Sequence, residues 1–298
     1  MMMRNSTSGG PRVSSFPDAP RNGARHGFTL IELMVVIVII GILMALILPA
    51  INAARIKGQV TAVAAEITQL DQAIATFKNQ FQVEPPSSLN IPAAGANWNT
   101  ADAGKIRTIW PSFNFASRGG LDPALPAYNL NGAECLVFFL GGIEGGSPGA
   151  GSVAGFSKNP VLPWSAAGTN RVGPFFEFDA GRFVDVDGDT LFEYRDDLPD
   201  QETPYLYLSS QGKLYNKTNN GSLLDDFDVF GSTNDMTSIY LKADDTTPQR
   251  ASSYQLISPG LDKRYGIGGR YTDGSELTNI RNAEADNITN FSSGALKP

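Results

Sequence analysis

Two residue types that organise many catalytic and metal sites are almost missing. The 298-residue chain has one cysteine, Cys135, and one histidine, His26. A single cysteine excludes any intramolecular disulfide, so stability has to come from packing or from a metal. A single histidine excludes HExxH pairs and Cys/His zinc clusters, both of which need more nitrogen or sulfur ligands than the chain has. Chemistry by carboxylates alone stays open, and the expectation is that the protein is not an enzyme.

Charge is scarce in one place above all. From Phe28 to Ile51, FTLIELMVVIVIIGILMALILPAI, the 24 residues carry a single charge, Glu32. As a helix this run would be roughly 36 Å long, enough to cross the hydrocarbon core of a bilayer with some tilt. Ahead of it, residues 1–27 hold Arg4, Arg12, Arg21 and Arg25 against Asp18; taking that local +3 from the chain's −7 leaves −10 for the remainder. So acidic a remainder argues against nucleic acid, whose phosphates require a basic face. Residues 1–26 are rich in Arg, Ser, Pro and Gly with no apolar period, and they read as a disordered segment outside the fold.

Three explanations compete for the apolar run. A secretory signal peptide would have a shorter run with small-residue cleavage signals after it, whereas Pro49 and Ala50 lead into Ile-Asn-Ala-Ala-Arg. A plain signal anchor fits the length, and the flanking Arg21 and Arg25 on one side against Arg55 and Lys57 on the other leave orientation open. The third explanation accounts for the specific order of residues. HGFTLIELMVVIVIIGILMALILPAI resembles the cleavage and methylation signature of type IV prepilins and type II secretion pseudopilins.

That resemblance implies a cut by a dedicated inner-membrane prepilin peptidase between Gly27 and Phe28, with methylation of the new N-terminus. His26 would leave with the leader, and with it any Ser-His-Asp or Cys-His nucleophile. Glu32 becomes the fifth residue of the processed chain, where the family places an acid that pairs with the N-terminus of a neighbouring subunit. A carboxylate in an apolar helix costs on the order of a few kcal/mol within a membrane, so Glu32 is a functional candidate on physical grounds too. The Phe28 ammonium created by the cut is its natural partner. The plain alternative is a glutamate that stays hydrated near the interface.

Gly41 and Pro49 interrupt the run, and bending is expected near Pro49. Beyond it, Val60, Val63, Ile67, Leu70, Ile74, Phe77 and Phe81 follow alternating spacings of three and four, an apolar stripe along one helical face. Over three heptads such a stripe is expected to pack on the protein's own sheet rather than in a coiled coil. Pro85 and Pro86 stop the helix. One helix from about 28 to 82 would be roughly 80 Å long. The expected divisions are a cleaved basic leader at 1–27, a transmembrane or filament-core helix at 28–51, its soluble continuation at 52–84, and a head at 85–298.

The head is expected to be α+β. Residues 87–131 and 141–174 are rich in Gly, Pro, Ala, Asn and Ser, with scattered Trp98, Trp110 and Trp164, and read as long surface connections. Between them NGAECLVFFLGG is β-rich, but the cap-like pair Asn131 and Glu134 and the stop at Gly141 favour a short buried helix over 132–140. Strands are expected at 175–179, 183–186, 191–194, 204–209, 238–242 and 254–258, pairing antiparallel and covered on one face by the helix stripe.

Two acidic loops are candidate calcium sites. In FVDVDGDTLFEYRDD, Asp185, Asp187, Asp189 and Glu193 alternate in a Gly-containing loop, a supply of hard oxygens that suits Ca²⁺. The glycine position and the absence of a bidentate acid at position 12 rule out an EF-hand. Four acids so close would repel one another without a cation, yet a solvated hairpin turn uses the same residues. The C-terminal YQLISPGLDKRYGIGGRY followed by AEADNITNF resembles the end of major pseudopilins, and PYLY at 204–207 resembles the aromatic strand before it. By that resemblance Ser258, Asp262 and Asp286 would hold calcium, although the intervening segment is longer than the family's. A GxGxxA match at Gly149, Gly151 and Ala154 lacks the following helix and acid of a dinucleotide site. The Asn-x-Ser/Thr triplets at Asn216 and Asn287 carry little meaning in a bacterial protein.

The resemblance implies a pseudopilin-like subunit that polymerises into a periplasmic pseudopilus, with a surface type IV pilus subunit as the alternative. Its partners would be prepilin peptidase, membrane lipid before assembly, an inner-membrane assembly platform, and copies of itself and related pilins. It would start as a single-pass inner-membrane protein with its head in the periplasm. The lack of paired C-terminal cysteines favours the pseudopilin. A rival of another class is a membrane-tethered, calcium-stabilised binding module that never polymerises.

Overall fold

The computed structural model describes residues 27–143, 153–210, 215, 236, 238–274, 277 and 279–296. The basic leader, Gly149, Gly151 and the Asn216 triplet lie outside them. The chain divides into two compact units, residues 1–52 and 53–298. Helix α1, Leu30–Phe81, contributes to both, and its helical assignment runs through Pro49 without a break. In the first unit every described side chain is exposed, from Phe28 through Leu30, Ile39 and Leu48. This is the one helix among the described residues long and apolar enough to cross a membrane.

In the second unit the stripe anticipated from the three-and-four spacing is the buried face of α1. Val63, Ile67, Leu70, Ala73, Ile74 and Phe77 are buried, and Val60 and Phe81 pack at its ends. Burying such side chains is worth about 1.5–3 kcal/mol each against exposure, which makes this face the main reason the helix continues here. Phe77 packs edge-on against Phe139 at 5.8 Å and Phe175 at 5.3 Å between ring centroids.

The segment expected to be loose surface is built. Strand β1, Leu89–Ile91, pairs antiparallel with β2, Tyr128–Leu130, and between them stands helix α2, Thr100–Ile109, capped by the Asn99 side chain on the Asp102 N–H. Trp110, Phe113 and Trp164 are core residues, with Phe113 and Trp164 centroids 4.6 Å apart. These aromatics tie the Gly- and Pro-rich chain together, a contribution that local periodicity does not report. Later in the same composition, β3, Phe156–Ser157, pairs antiparallel with β4, Arg171–Val172.

Helix α3, Gly132–Gly141, forms where expected and is buried along its whole length. Strand β5, Phe183–Val184, pairs antiparallel with β6, Glu193–Tyr194, both shorter than expected because the acidic loop between them turns on its own side chains. FFEFD at 175–179 is not a strand. The Phe175 N–H donates to the Leu140 carbonyl at the end of α3 at 2.7 Å, and Phe176 and Phe178 pack on Tyr194, so these rings fill core rather than join a ladder.

The largest sheet has order β11–β9–β7, all antiparallel, with β7 Leu206–Ser209, β9 Tyr254–Ser258 and β11 Ile288–Thr289. Both its faces are buried. Tyr205, Tyr207 and Leu256 join the α1/α3 core, while Leu206, Leu208 and Ile257 join a second cluster with Ile239, Tyr240, Tyr265 and Tyr271. Among the described strands, β8, Tyr240–Leu241, departs from the antiparallel expectation by running parallel to β10, Gly269–Arg270, and a lone parallel bridge joins Gly142 to Gly155.

Candidate functional site

Two candidate centres are visible, each within one unit. The first is the start of α1. Glu32 and Thr29 make a reciprocal pair: Thr29 donates its backbone N–H and its hydroxyl to Glu32 Oε2, each at 2.8 Å, and the Glu32 N–H donates to Thr29 Oγ1 at 3.2 Å. This is the geometry of a capping box, with the acid reaching back over the first turn. It satisfies the Glu32 carboxylate locally and aims it at the peptide following Phe28. Phe28 itself is 90% exposed, and Gly27 has open space around its Cα.

The second centre is the acidic loop between β5 and β6. Asp185 accepts from the Gly188 N–H at 2.8 Å and the Thr190 N–H at 3.2 Å, so it shapes the turn with both oxygens. Asp187 accepts from the Asp189 N–H at 3.3 Å, and Asp189 from the Leu191 N–H at 2.8 Å. Glu193 is fully buried; its Oε2 accepts from the Val186 N–H at 3.2 Å while its Oε1 has no partner.

The structure adds a residue to this loop that the sequence analysis assigned only to a cap. Glu134 closes the α3 capping box, its Oε2 accepting from the Asn131 N–H at 2.7 Å while Asn131 Oδ1 accepts from the Glu134 N–H at 3.0 Å. Its Oε1 is buried without a partner. Carboxylate oxygens of Glu134, Asp187 and Asp189 lie within 4.8 Å of one another. Burial, aided by Asp189, Glu193 and Asp187, pushes the Glu134 carboxyl up to about 9. Burial also pushes Glu193 up to about 8, with Asp187 and Asp185 adding repulsion, and raises Asp189. One signal in the sequence bears on Glu134: it is the sole charge in GAECLVFFLG.

At the C-terminal loop the three residues linked by resemblance meet at one turn, Ser258 and Asp286 each holding part of its backbone. Asp286 accepts from the Leu261 N–H at 2.5 Å and the Asp262 N–H at 2.9 Å, clamping the Ser-Pro-Gly turn. Gly260 makes that turn with φ +69°, and a Cβ there would lie 2.5 Å from the Asp286 carbonyl oxygen. Asp262 is pushed up to about 6 by partial burial and by Asp286. Ser258 Oγ accepts from the Gly260 N–H at 3.3 Å within that same turn and donates its hydroxyl to the buried Asp196 at 2.6 Å. The loop offers two neighbouring carboxylates, and its serine hydroxyl bridges the turn to Asp196.

An apolar N-terminal helix preceded by Gly27 and Phe28 and carrying Glu32 runs on into an α+β unit. Residues 22–48 match the prokaryotic N-terminal methylation motif. The chain is also 36% identical over 102 residues to the type IV major alpha-pilin of Moraxella bovis, an alignment taking in 32% of this chain and spanning 64% of that pilin's length. No solved structure matches the chain. Motif and relative together support a likeness to the type IV pilin-like family. An apolar helix with this signature fits a membrane-anchored precursor.

Proposed function

We propose that this chain is a filament subunit, cut between Gly27 and Phe28 by prepilin peptidase, N-methylated on Phe28, and polymerised through residues 28–51. Before assembly the apolar segment resides in the inner membrane, with the acidic remainder on the periplasmic side. Neighbouring apolar segments then pack against one another, delivered by an inner-membrane assembly platform. The observation that carries the reading is Glu32, the one charge in the apolar run, poised beside the peptide whose N-terminus the cut would free. A carboxylate and an ammonium that enter apolar surroundings together neutralise each other, whereas either alone costs several kcal/mol. That pairing fixes the axial offset between copies.

The single cysteine, Cys135, is buried and favours a pseudopilus of a type II secretion-type system, because it leaves no second cysteine for a C-terminal disulfide. The likeness to a Moraxella bovis major pilin favours the second reading, a surface type IV pilus. N-terminal sequencing of the protein from cells that carry the peptidase is expected to start at N-methylated Phe28. Glu32→Ala is expected to be cut normally but to leave no filaments by electron microscopy. Filaments of ordinary length and abundance in that variant would defeat the pairing.

A further inference from the structure

Four buried carboxylates among the described residues have an oxygen with no hydrogen-bond partner; Glu84 and Asp102 are ion-paired to Lys78 and Lys105, whereas Glu134 and Glu193 have no ion pair. Glu134 is 2% exposed and Glu193 is 0% exposed, and in both Oε2 accepts a backbone N–H while Oε1 has no donor. A buried acceptor left without a partner costs on the order of 1–3 kcal/mol, more if charged. Among the described residues no Lys or Arg forms an ion pair with Glu134, Asp185, Asp187, Asp189 or Glu193. Nearby cations are engaged elsewhere: Arg182 grips Glu66, and Arg195 donates to the Gln201 and Gly181 carbonyls.

The geometry supplies a place for the missing positive charge. An oxygen of Glu134, from the first turn of α3, comes within 4.8 Å of oxygens of Asp187 and Asp189, which arrive from the β5–β6 loop some fifty positions later in the chain. Two oxygens bound to one Ca²⁺ at about 2.3–2.6 Å can be at most roughly 4.6–5.2 Å apart, so one calcium ion can span this set. Mg²⁺ gives up its waters reluctantly and is usually held by one or two carboxylates, so a set of three favours calcium. With no histidine or cysteine in the group, softer metals lack their ligands.

We propose that Glu134, Asp187 and Asp189 form a site for a single Ca²⁺ that fastens the β5–β6 loop to the N-terminus of α3, with the buried Glu193, which holds the loop through the Val186 N–H, as a positioning residue. Asp185 shapes the loop with both of its oxygens and is a positioning residue. The capping box fixes Glu134, because its Oε2 is held by the Asn131 N–H while Oε1 stays free. The site is separate from the Asp262/Asp286 loop and independent of filament assembly.

The test uses the full-length protein in detergent, stripped with a chelator and titrated with CaCl2 by calorimetry, with thermal unfolding followed in parallel. The expected result is one equivalent bound and a melting midpoint raised by on the order of 5–10 °C at calcium about a hundredfold above Kd. Glu134→Gln keeps the cap, since glutamine serves in a capping box. It is expected to weaken calcium binding at least about tenfold while the stripped protein melts no lower than wild type. Asp187→Asn, on the exposed turn, is expected to do the same, and Asp262→Asn is expected to leave binding unchanged. Absence of binding in the wild type, wild-type affinity in both Glu134→Gln and Asp187→Asn, or loss of binding in Asp262→Asn would each overturn the proposal.

Discussion

Glu66 is the most heavily engaged described side chain on the part of α1 that lies in the second unit. Its two oxygens receive both terminal nitrogens of Arg182 at 2.6 Å, and Oε2 also accepts the Tyr205 hydroxyl at 2.5 Å. Arg182 in turn stacks over the Tyr194 ring at 4.4 Å and donates to the Arg195 carbonyl. The Glu66 and Arg182 side chains are 15% and 14% exposed, so this is a mostly desolvated, bidentate pair. Removing one member would leave the other's charge buried and uncompensated, and the loss then exceeds the net worth of the pair. Glu66→Ala is therefore expected to lower the unfolding free energy by about 3–5 kcal/mol in denaturant melts of the detergent-solubilised protein. A loss under about 1 kcal/mol, the level of an exposed pair, would mean the network is not desolvated in solution. Nothing in the sequence couples Glu66 to Arg182, because their 116-residue separation is closed only by tertiary packing. Glu134 is legible only as a cap for a similar reason: its capping role is local and visible, while its closeness to Asp187 and Asp189 depends on how the β5–β6 loop folds back.

Elements were legible where a periodic pattern and an end signal coincided. The α1 stripe, the Asn131/Glu134 start of α3 and the whole of β9 follow from spacing and capping alone. Where order comes from scattered aromatics and short ladders, as in α2 and β1 to β4, the Gly/Ala/Pro/Asn composition hides it. FFEFD misled in the opposite direction, because β-favouring rings there pack on α3 instead of pairing. Gly132 shows how the packed element can reverse a local rule. Replacing a helical glycine with alanine ordinarily gains about 0.5–1 kcal/mol. At Gly132, however, a Cβ would fall 2.1 Å from the Tyr207 carbonyl oxygen in the adjoining β7, inside the closest contact that real side chains make. Both elements are fully buried and cannot easily part. Gly132→Ala is thus expected to destabilise by about 1–3 kcal/mol, read from the shift in denaturation midpoint at unchanged m-value. Equal or higher stability would show that α3 can slide away from the sheet without cost.

At the scale of the whole molecule, the proposed assembly would ask the same carboxylate to serve two states of the chain. In the structure Glu32 is satisfied by Thr29, through one backbone and one hydroxyl hydrogen bond. In a filament it would be asked to meet the ammonium of another copy, and the cap shows that the acid already points toward the end of the helix where such a charge arises. Capping and pairing can be separated, because they depend differently on Thr29. Thr29→Ala removes the hydroxyl from the cap, a loss of about 1 kcal/mol at the helix start, but keeps the charge of Glu32 and the Phe28 amine. If Glu32 acts as a counter-charge between subunits, Thr29→Ala is expected to be processed and to assemble at near wild-type abundance, while Glu32→Ala is processed and does not assemble. If Glu32 serves only to start the helix, the two variants lose filaments to a similar degree. Intact mass of the processed chain, read beside filament yield, tells failed cutting from failed pairing, since only the former leaves the basic leader with its local +3 attached.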